Sequence, residues 1–462
     1  MNLTVQELQS IPHIEHSLSK LDGNKTFRDV STDSRTLKRG DLFVALRGEK
    51  FDGHAYLEEI AQAGAVAAIV DQQWVKKAKK RPDLPLIVVE DTLQAHGDLA
   101  NLYRRKFKIP ILVVAGSNGK TTTKELLAHV LGTTRGVLKT ESNYNNQVGL
   151  PKMLFQLRDG HDMAVLEIGT NHPGEIEWLC KVAEPTHAYV TNVGREHLEF
   201  FKDLKGVAAE ERAAFDYVFE KGGTIFVNMD DKYLASAKKQ FGDRAKTFGT
   251  SPTGSIFARY LGYTKDGRLE LRVGAEDKSF KLRTHIIADY APNMIAGAVA
   301  VGLHFKMRRA EIKAAIEYFK PHDKRLEVVK LSSGVTVLND SYNANPDSME
   351  SAFKTLASYP AEGKRYVIVG DMFELGDKSE AEHKSIGKKL TEFDFAGLYF
   401  TGKDMELAYK SAKRGREGEI YYFKTKDEAA TKLRDILNPG DTLLVKGSRG
   451  MKMEEVIDLL QR

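Results

Sequence analysis

The 462-residue sequence predicts an α/β protein of three domains, on the strength of three observations. Apolar segments typical of strands alternate with helical segments along the chain, which is the pattern of parallel sheets covered by helices. A glycine-rich loop at 115–123 joins a buried strand to a helix in the middle of the chain. Beyond a helix that ends at a proline near 319–322, a second series of strands and helices begins.

The first predicted domain comprises residues 1–90. Short strands are expected at 41–48, 65–71 and 84–91, with a helical segment at 54–65 between the first two. Roughly 100–200 residues per domain is usual, so the chain has room for two to four such units.

The second predicted domain comprises residues 91–319 and contains the glycine-rich loop. A helix at 92–107 precedes a nearly continuous apolar strand at 109–116, and a helix from Thr121 to about residue 131 follows the loop. Further elements are then expected in chain order, namely buried strands at 164–170, 187–194 and 222–228, a strand-rich stretch at about 254–285 and a helix at 291–304.

The third predicted domain comprises residues 320–462. Its strands at 335–340, 364–372 and 441–448 are apolar and separated by helices, which predicts a second, Rossmann-like parallel sheet.

Composition excludes several classes of protein. Hydrophobic residues make up 42% of the chain and charged residues 29%, and the net charge is +5 without a block of like charges, so we expect no nucleic acid partner. A single cysteine, Cys180, excludes an intramolecular disulfide and a multi-cysteine zinc site and suits a reducing compartment. No apolar run approaches the ~20 residues of a membrane span, and the N-terminus does not resemble a secretory signal. We therefore expect a cytoplasmic protein without a membrane span.

The loop at 115–123, AGSNGKTTT, has the chemistry of a phosphate-binding loop. Glycines let its backbone N–H groups face a phosphate chain at the helix N-terminus. Lys120 would reach the β- and γ-phosphates, and the Thr121 hydroxyl would bind Mg²⁺. Val114 occupies the first glycine position of the usual motif, so this is a shorter G-x-x-G-K-T form. The alternative is a glycine-rich turn with a solvated lysine, but strand, loop and helix together favour a nucleoside triphosphate. The candidate nucleotide-binding residues here are Gly116, Ser117, Asn118, Gly119, Lys120, Thr121 and Thr122.

Acidic residues and one histidine follow at the strand ends downstream. Glu167 ends the strand at 164–170, and His197 follows the next strand along the chain. Oxygen ligands suit the metal of a triphosphate site, and ligands gather at the carboxyl ends of parallel strands. A single histidine is usually a core or surface residue, although its place beside the loop favours function. Glu210 and Glu211 lie on the next helix, where a solvated face is the alternative.

In these and other segments the chain resembles the Mur ligases, ATP-dependent enzymes that build the peptide stem of peptidoglycan. The strings DSYNANP at 340–346 and GDMFELG at 370–376 are the most specific, because sister ligases carry different residues there. The remaining matching segments span the chain: 32–36 (TDSRT), 38–48 (KRGDLFVALRG), 51–54 (FDGH), 116–123, 143–146 (NYNN) with Gly149 and Pro151, 167–169 (EIG), 192–199 (NVGREHLE) and 446–449 (KGSR).

The resemblance implies a ligase that joins D-alanyl-D-alanine to UDP-N-acetylmuramoyl-tripeptide. Such an enzyme transfers the γ-phosphate of ATP to a carboxylate, and the incoming amine displaces phosphate from the acyl phosphate. One alternative is another amino-acid ligase of the same superfamily, including a folylpolyglutamate synthase-like enzyme. Another, of a different class, is a P-loop switch or transport ATPase. We expect a monomer.

The same resemblance implies roles for individual residues. Thr121 and Glu167 would hold one Mg²⁺ and His197 a second, so that two ions are expected. Asn293 would contact adenine, although Pro292 stands where many relatives have a histidine.

Further residues are implied on the other two domains. Arg325 and Asp340 would close onto the nucleotide. Candidates for the substrates are Ser34, Arg35 and Arg47 near the uridine diphosphate, and Asn143, Asn146, Asn343 and Asn345.

One position departs from the family pattern. Mur ligases commonly carry a carbamylated lysine on the helix after His197, and the alignment puts Glu211 there. We hypothesise that the carboxylate of Glu211, or of its neighbour Glu210, replaces the carbamate as a metal ligand.

Overall fold

The computed structural model describes residues 3–8, 10–11, 24, 26–48, 51–196, 198–275, 278–321 and 324–462. In this part of the chain the residues group into two compact units. The first comprises Met1–Val113, Arg135–Thr170 and Gly174–Thr186, and the second Val114–Thr134, Asn171–Pro173 and His187–Arg462. His197 lies outside the described residues, so its predicted role remains a prediction.

The N-terminal part of the first unit contains a parallel four-stranded sheet of order β3-β4-β5-β6 and an antiparallel pair, β1-β2. Its core gathers apolar residues of β4, β5 and α2, among them Phe43, Val70 and Ile60. The elements are β1 (Leu3–Thr4), α1 (Val5–Leu8), β2 (Thr26–Phe27), β3 (Val30–Ser31), β4 (Leu42–Val44), α2 (Leu57–Gln62), β5 (Ala67–Asp71), α3 (Gln72–Lys77), β6 (Leu86–Val89) and α4 (Thr92–Arg104).

The next stretch contains the glycine-rich loop, between β7 and α5. All five residues of β7 are buried, as are those of β9, which explains their continuous apolar sequence. Strands β8 and β9 pair in parallel. The elements are β7 (Ile111–Ala115), α5 (Lys120–Gly132), β8 (Val137–Lys139), α6 (Gly149–Leu154), β9 (Met163–Glu167) and α7 (Glu175–Ala183).

From residue 187 onward the chain belongs to the second unit. Strands β10 to β13 run in parallel, whereas β13, β14 and β15 form antiparallel pairs, so the strand-rich stretch predicted at 254–285 is confirmed. The elements are β10 (His187–Val190), α8 (Leu198–Phe201), α9 (Leu204–Glu220), β11 (Thr224–Asn228), α10 (Ala237–Phe241), β12 (Ala245–Gly249), β13 (Ile256–Tyr263), β14 (Leu269–Ala275), β15 (Lys278–Thr284), α11 (Ala291–His304) and α12 (Arg309–Tyr318).

The C-terminal part of this unit is a six-stranded sheet of order β16-β17-β21-β18-β19-β20. Only its edge strand β16 is antiparallel to its neighbour, which confirms the predicted Rossmann-like sheet. The elements are β16 (Glu327–Lys330), β17 (Thr336–Asp340), α13 (Pro346–Ser358), β18 (Arg365–Val369), α14 (Ser379–Leu390), β19 (Gly397–Thr401), α15 (Met405–Gly415), β20 (Glu419–Phe423), α16 (Lys426–Ile436), β21 (Thr442–Lys446) and α17 (Glu454–Gln461).

Loops that leave the carboxyl ends of strands carry most of the candidate residues of the second unit. The phosphate loop follows β7, residues 191–196 follow β10, and residues 341–345 follow β17. Parallel strands present such loops at one edge of a sheet, where ligands bind.

None of the described helices combines the length and apolar character that a membrane crossing requires.

The buried His96 on α4 makes the stability of the fold depend on pH. Its side chain is fully buried, and neither ring nitrogen has a hydrogen-bond partner among the described residues. Burial lowers the pKa of His96 to about 3, because the apolar surroundings disfavour the charged ring. Below its ordinary pKa of about 6.5, the unfolded chain therefore gains a proton that the folded chain does not bind.

We predict that His96→Leu makes the free energy of unfolding less sensitive to acid. Between pH 7 and pH 5 the wild-type chain should lose about 2 kcal/mol through this histidine, and the variant should not. Urea unfolding at both pH values measures the difference. An equal loss in the wild type and the variant would contradict the prediction.

Candidate active site

Two glycines shape the phosphate loop. Gly116 has φ +113°, and a Cβ atom there would lie 2.2 Å from Thr191 Oγ1. Gly119 has φ +79° and immediately precedes α5, which begins at Lys120. Both positions require a residue without a side chain, so the backbone turns sharply from β7 into the helix.

The loop after β10 supports the phosphate loop through both backbone and side-chain hydrogen bonds. The Ser117 N–H donates to Asn192 O at 2.9 Å, and the Gly194 N–H donates to Ser117 Oγ at 2.8 Å. The Asn192 side chain accepts from the Asn118 N–H at 3.1 Å and donates to Asn118 O at 2.9 Å. Asn192 was part of a matching sequence segment, but this bracing role was not predicted.

Lys120 has a carboxylate partner that sequence analysis did not assign. Its Nζ donates to Glu196 Oε2 and to Ser117 O, both at 3.2 Å. The Lys120 and Glu196 side chains are 16% and 8% exposed, respectively, so the pair is largely shielded from solvent. Glu196 therefore holds the lysine beside the loop to which a phosphate chain would bind.

Glu211 lies directly behind the loop. The side chain is fully buried, and Oε2 accepts from the Gly116 N–H at 2.6 Å. Burial and the neighbouring Glu196 carboxylate raise the pKa of Glu211 well above its usual range. Glu210 is also buried, but it is Glu211 whose carboxylate contacts the loop.

Arg325 reaches the loop from the segment that precedes β16. Its Nη2 donates to Thr121 Oγ1 at 2.9 Å, and its guanidinium lies 3.9 Å from the centre of the Tyr342 ring. The following residue, Leu326, donates its backbone N–H to Asp340 Oδ1 at 3.1 Å. Asp340 thus holds the segment that carries Arg325, so the two predicted residues are joined through Leu326.

Asp340 is also half of a shielded ion pair. Its Oδ2 accepts from Lys446 Nζ at 2.6 Å, and the same ammonium donates to Asn343 O at 2.9 Å. The Lys446 side chain is buried, so the pair joins the ends of the neighbouring strands β17 and β21. Asn343 contributes here through its carbonyl, not through its amide side chain.

Asn345 connects α13 to the phosphate loop. Its Oδ1 accepts from the Ser348 N–H at 2.8 Å and caps the helix, while its Nδ2 donates to Asn118 Oδ1 at 2.8 Å. Such a cap is favourable because the first N–H groups of a helix have no partner within it.

Asn293 lies in the first turn of α11, directly after Pro292. Its Nδ2 donates to Asn228 Oδ1 at 2.6 Å and to Asp230 Oδ2 at 2.9 Å. Asn228 in turn donates to Thr191 O at 2.8 Å, at the start of the loop after β10. Asn293, which is predicted to contact adenine, is therefore linked through Asn228 to the loop after β10.

Glu167 and its partners belong to the first unit. Glu167 Oε1 accepts from Asn145 Nδ2 at 2.8 Å, whereas its Oε2 is buried and has no hydrogen-bond partner among the residues described. Asn146 instead closes the turn before α6 by accepting from the Gly149 N–H at 2.9 Å. Asn143 is exposed and accepts from Ser142 Oγ at 3.3 Å. Asn145, which the sequence analysis did not assign to the site, is the asparagine that holds Glu167.

The predicted uridine-diphosphate residues also lie in the first unit. Arg35 contacts both carboxylate oxygens of Asp33, at 2.9 and 2.7 Å, and Ser34 lies in the same turn. Hydrogen bonds from Arg35 lower the pKa of Asp33 to about 2. Arg47 pairs with Asp71 at 3.0 Å and with Asp52 at 3.2 Å. Both arginines are exposed and are paired with carboxylates.

Comparison with known proteins matches three stretches of the chain to one family. Family models match three successive stretches: the Mur ligase family catalytic domain at 26–104, the Mur ligase middle domain at 114–301 and the Mur ligase glutamate ligase domain at 324–449. UDP-N-acetylmuramoyl-tripeptide–D-alanyl-D-alanine ligase of Escherichia coli is 34% identical, over 94% of this chain and 94% of its own length. The chain belongs to the Mur ligase family. The predicted resemblance and the α/β architecture of three successive Mur ligase domains are confirmed.

Solved structures of Mur ligases agree with this assignment. MurF from Acinetobacter baumannii superposes with a TM-score of 0.88 and is 27% identical, with 100% of this chain and 99% of that chain covered. The MurF ligase of Thermotoga maritima, crystallised in complex with ADP, has a TM-score of 0.84 and 26% identity, with 97% and 98% covered.

We predict that Glu211 supports the phosphate loop of this Mur ligase. Glu211→Ala leaves the buried Gly116 N–H without its acceptor, which costs ~1–3 kcal/mol of unfolding free energy. It should also raise the KM for ATP. Glu211→Gln retains an acceptor oxygen and should stay closer to the wild type in both measurements.

Chemical denaturation measures the free energy of unfolding of the two variants, and ATP titration measures their KM for ATP. The prediction fails if Glu211→Ala matches the wild type in stability and in KM for ATP.

Proposed function

We propose that this chain is an ATP-dependent ligase that joins D-alanyl-D-alanine to UDP-N-acetylmuramoyl-tripeptide during cytoplasmic synthesis of peptidoglycan precursors. The observation that carries the proposal is the contact of C-terminal side chains with the phosphate loop, with Arg325 on Thr121 and Asn345 on Asn118. A loop held in this way can align a triphosphate with a second substrate presented by the C-terminal sheet. The relatives that carry this ligase name match nearly the whole chain.

The reaction requires positioning and charge stabilisation more than it requires a protein nucleophile. In our proposal the N–H groups at the start of α5 bind the triphosphate, and Lys120 neutralises charge on the transferred phosphoryl group. The tripeptide carboxylate attacks the γ-phosphorus and ADP leaves. The amine of D-alanyl-D-alanine then attacks the acyl carbon, and inorganic phosphate departs. Arg325, Asp340 and Asn293 would bind the nucleotide.

Magnesium fits the oxygen atoms that the chain offers. Glu167 Oε2 and Glu211 Oε1 are buried oxygens that lack a hydrogen-bond partner in the described part of the chain, and carboxylate and hydroxyl oxygens suit this hard cation. We propose that Thr121 and Glu167 hold one ion, and His197 and Glu211 a second. When bound, Mg²⁺ would neutralise charge on the phosphate oxygens.

The remaining substrate contacts divide among three proposed domains, 1–90, 91–319 and 320–462. Ser34, Arg35 and Arg47 would bind the uridine diphosphate. Arginine pairs well with phosphate oxygens, and the diphosphate would replace the carboxylates that pair with Arg35 and Arg47. Asn143, Asn146, Asn343 and Asn345 would contact the peptide substrates. We propose that the enzyme acts as a monomer.

We predict that phosphate release from Mg-ATP requires both UDP-N-acetylmuramoyl-tripeptide and D-alanyl-D-alanine. Lys120→Ala should abolish turnover, because the charge beside the phosphates is lost. A coupled phosphate assay with the dipeptide, with single amino acids and without an acceptor provides the measurement. Release with only a single amino acid would point to another ligase of the family, and release without an acceptor to a switch or transport ATPase.

We also predict that activity does not respond to bicarbonate, because Glu211 needs no carbamylation. The initial rate of dipeptide-dependent phosphate release should be unchanged between carbon dioxide-depleted buffer and buffer with added bicarbonate. Glu211→Lys in the same two buffers is the control, since a lysine there can be carbamylated. A wild-type rate that rises with bicarbonate would overturn this interpretation.

A further inference from the structure

Arg195 stands in the loop that braces the phosphate loop. Its neighbours Gly194 and Glu196 contact Ser117 and Lys120, respectively. The Arg195 side chain instead contacts α13 and α14, two helices of the C-terminal part of the same unit. One short segment of chain therefore contacts both the phosphate loop and these helices.

The Arg195 guanidinium is shared by three carboxylates. Nε donates to Asp347 Oδ1 at 2.7 Å, Nη2 to Glu350 Oε1 at 2.7 Å and Nη1 to Glu382 Oε2 at 3.2 Å. The backbone N–H of Arg195 also donates to Asp347 Oδ2, at 2.5 Å. Asp347 and Glu350 lie on α13 and Glu382 lies on α14, so a single side chain joins both helices to the loop.

The charge balance makes this arginine hard to replace. Without it, three carboxylates would face one another around a partly buried site, since the Arg195 side chain is only 26% exposed and those of Glu350 and Glu382 are 23% and 17% exposed. Burial by itself would lower the pKa of Arg195, but the hydrogen bonds and charges of its three partners raise it. The planar guanidinium offers its donors in fixed directions, which a lysine does not.

A second contact lies along the same side. Lys378 Nζ, just before α14, donates to Lys202 O at 2.6 Å, after α8. Among the described residues, Arg195 and Lys202 therefore both contact the C-terminal part of the unit, and Arg195 is adjacent to Glu196, which pairs with Lys120.

We propose that Arg195 is a positioning residue that transmits docking of α13 and α14 to Lys120 through Glu196. When the helices are docked, their carboxylates fix Arg195, and the adjoining Glu196 holds Lys120 at the phosphate loop. This inference rests on the proposed ligase function, because it assigns to Arg195 an effect on phosphoryl transfer. Arg195 is not among the functional residues assigned above.

The test compares Arg195→Gln, Arg195→Lys and the control Arg308→Gln. Arg308 is exposed and pairs with Glu311 within its own helix turn. We expect Arg195→Gln to lower kcat about tenfold through misplacement of Lys120, with KM for UDP-N-acetylmuramoyl-tripeptide changed less than about twofold. Arg195→Lys, which keeps the charge, should recover part of the loss, and Arg308→Gln should match the wild type.

A double-mutant cycle identifies the partner. Glu350→Gln alone should lower kcat less than Arg195→Gln does. Adding Glu350→Gln to Arg195→Gln should cause little further loss in kcat, because Arg195→Gln already removes the contact between residues 195 and 350. Losses that simply multiply would overturn the assigned coupling.

Hydrogen exchange of the substrate-free protein supplies a readout apart from activity. Amides at 346–358 should exchange faster in Arg195→Gln than in the wild type or in Arg308→Gln. Faster exchange with an unchanged kcat would reduce Arg195 to a structural contact, and unchanged exchange would remove the proposed link to α13. If Arg195→Gln does not fold, Arg195→Lys carries the same comparisons.

The outcomes also separate this inference from the proposed function. A wild-type protein that releases no phosphate with D-alanyl-D-alanine would refute the proposed function, and the positioning role that rests on it would fall with it. A wild-type protein with the predicted activity, but with an unchanged kcat in Arg195→Gln, would refute the positioning role alone.

Discussion

A phosphate loop must keep a row of backbone N–H groups available to an anion while its own shape is fixed by other bonds. The first four N–H groups of a helix have no partner within it, and α5 begins directly at Lys120. The bonds that fix the loop come from residues 191–196, from Glu211 and from Asn345, which together bond to Gly116, Ser117 and Asn118. The shape of the loop is therefore fixed by several elements of the second unit.

Strand ends bring the supporting residues together. Asn192, in the loop after β10, and Asn345, in the loop after β17, both contact Asn118 of the phosphate loop. Lys446, the last residue of β21, contacts Asp340. The Lys446–Asp340 ion pair lies between two neighbouring parallel strands. Removing one member would leave a shielded charge without its partner, which is generally costly.

Sequence analysis predicted many of the buried strands because apolar runs are local features. Strands β7, β10, β17, β18 and β21 all lie within segments predicted as strands, and β9 begins one residue before its predicted segment. It could not recover contacts between residues far apart in the chain, such as that of Arg195 with Asp347. It also could not choose between Glu210 and Glu211, because a difference of about 100° around a helix decides which carboxylate reaches Gly116. Likewise, among the asparagines at 143–146, only the folded turn selects Asn145 as the partner of Glu167.

Asn345 illustrates how narrowly one position can be constrained. Its amide uses the oxygen to cap α13 and the nitrogen to contact Asn118. Aspartate or serine would preserve the cap but could not offer the same pair of an acceptor and an NH₂ donor, and glutamine would place its amide one methylene too far away. A single substitution can therefore keep the cap or the donor to Asn118, but asparagine supplies both. Natural or laboratory evolution at this site would therefore have few single-step alternatives, even though asparagine is common at helix N-termini for capping alone.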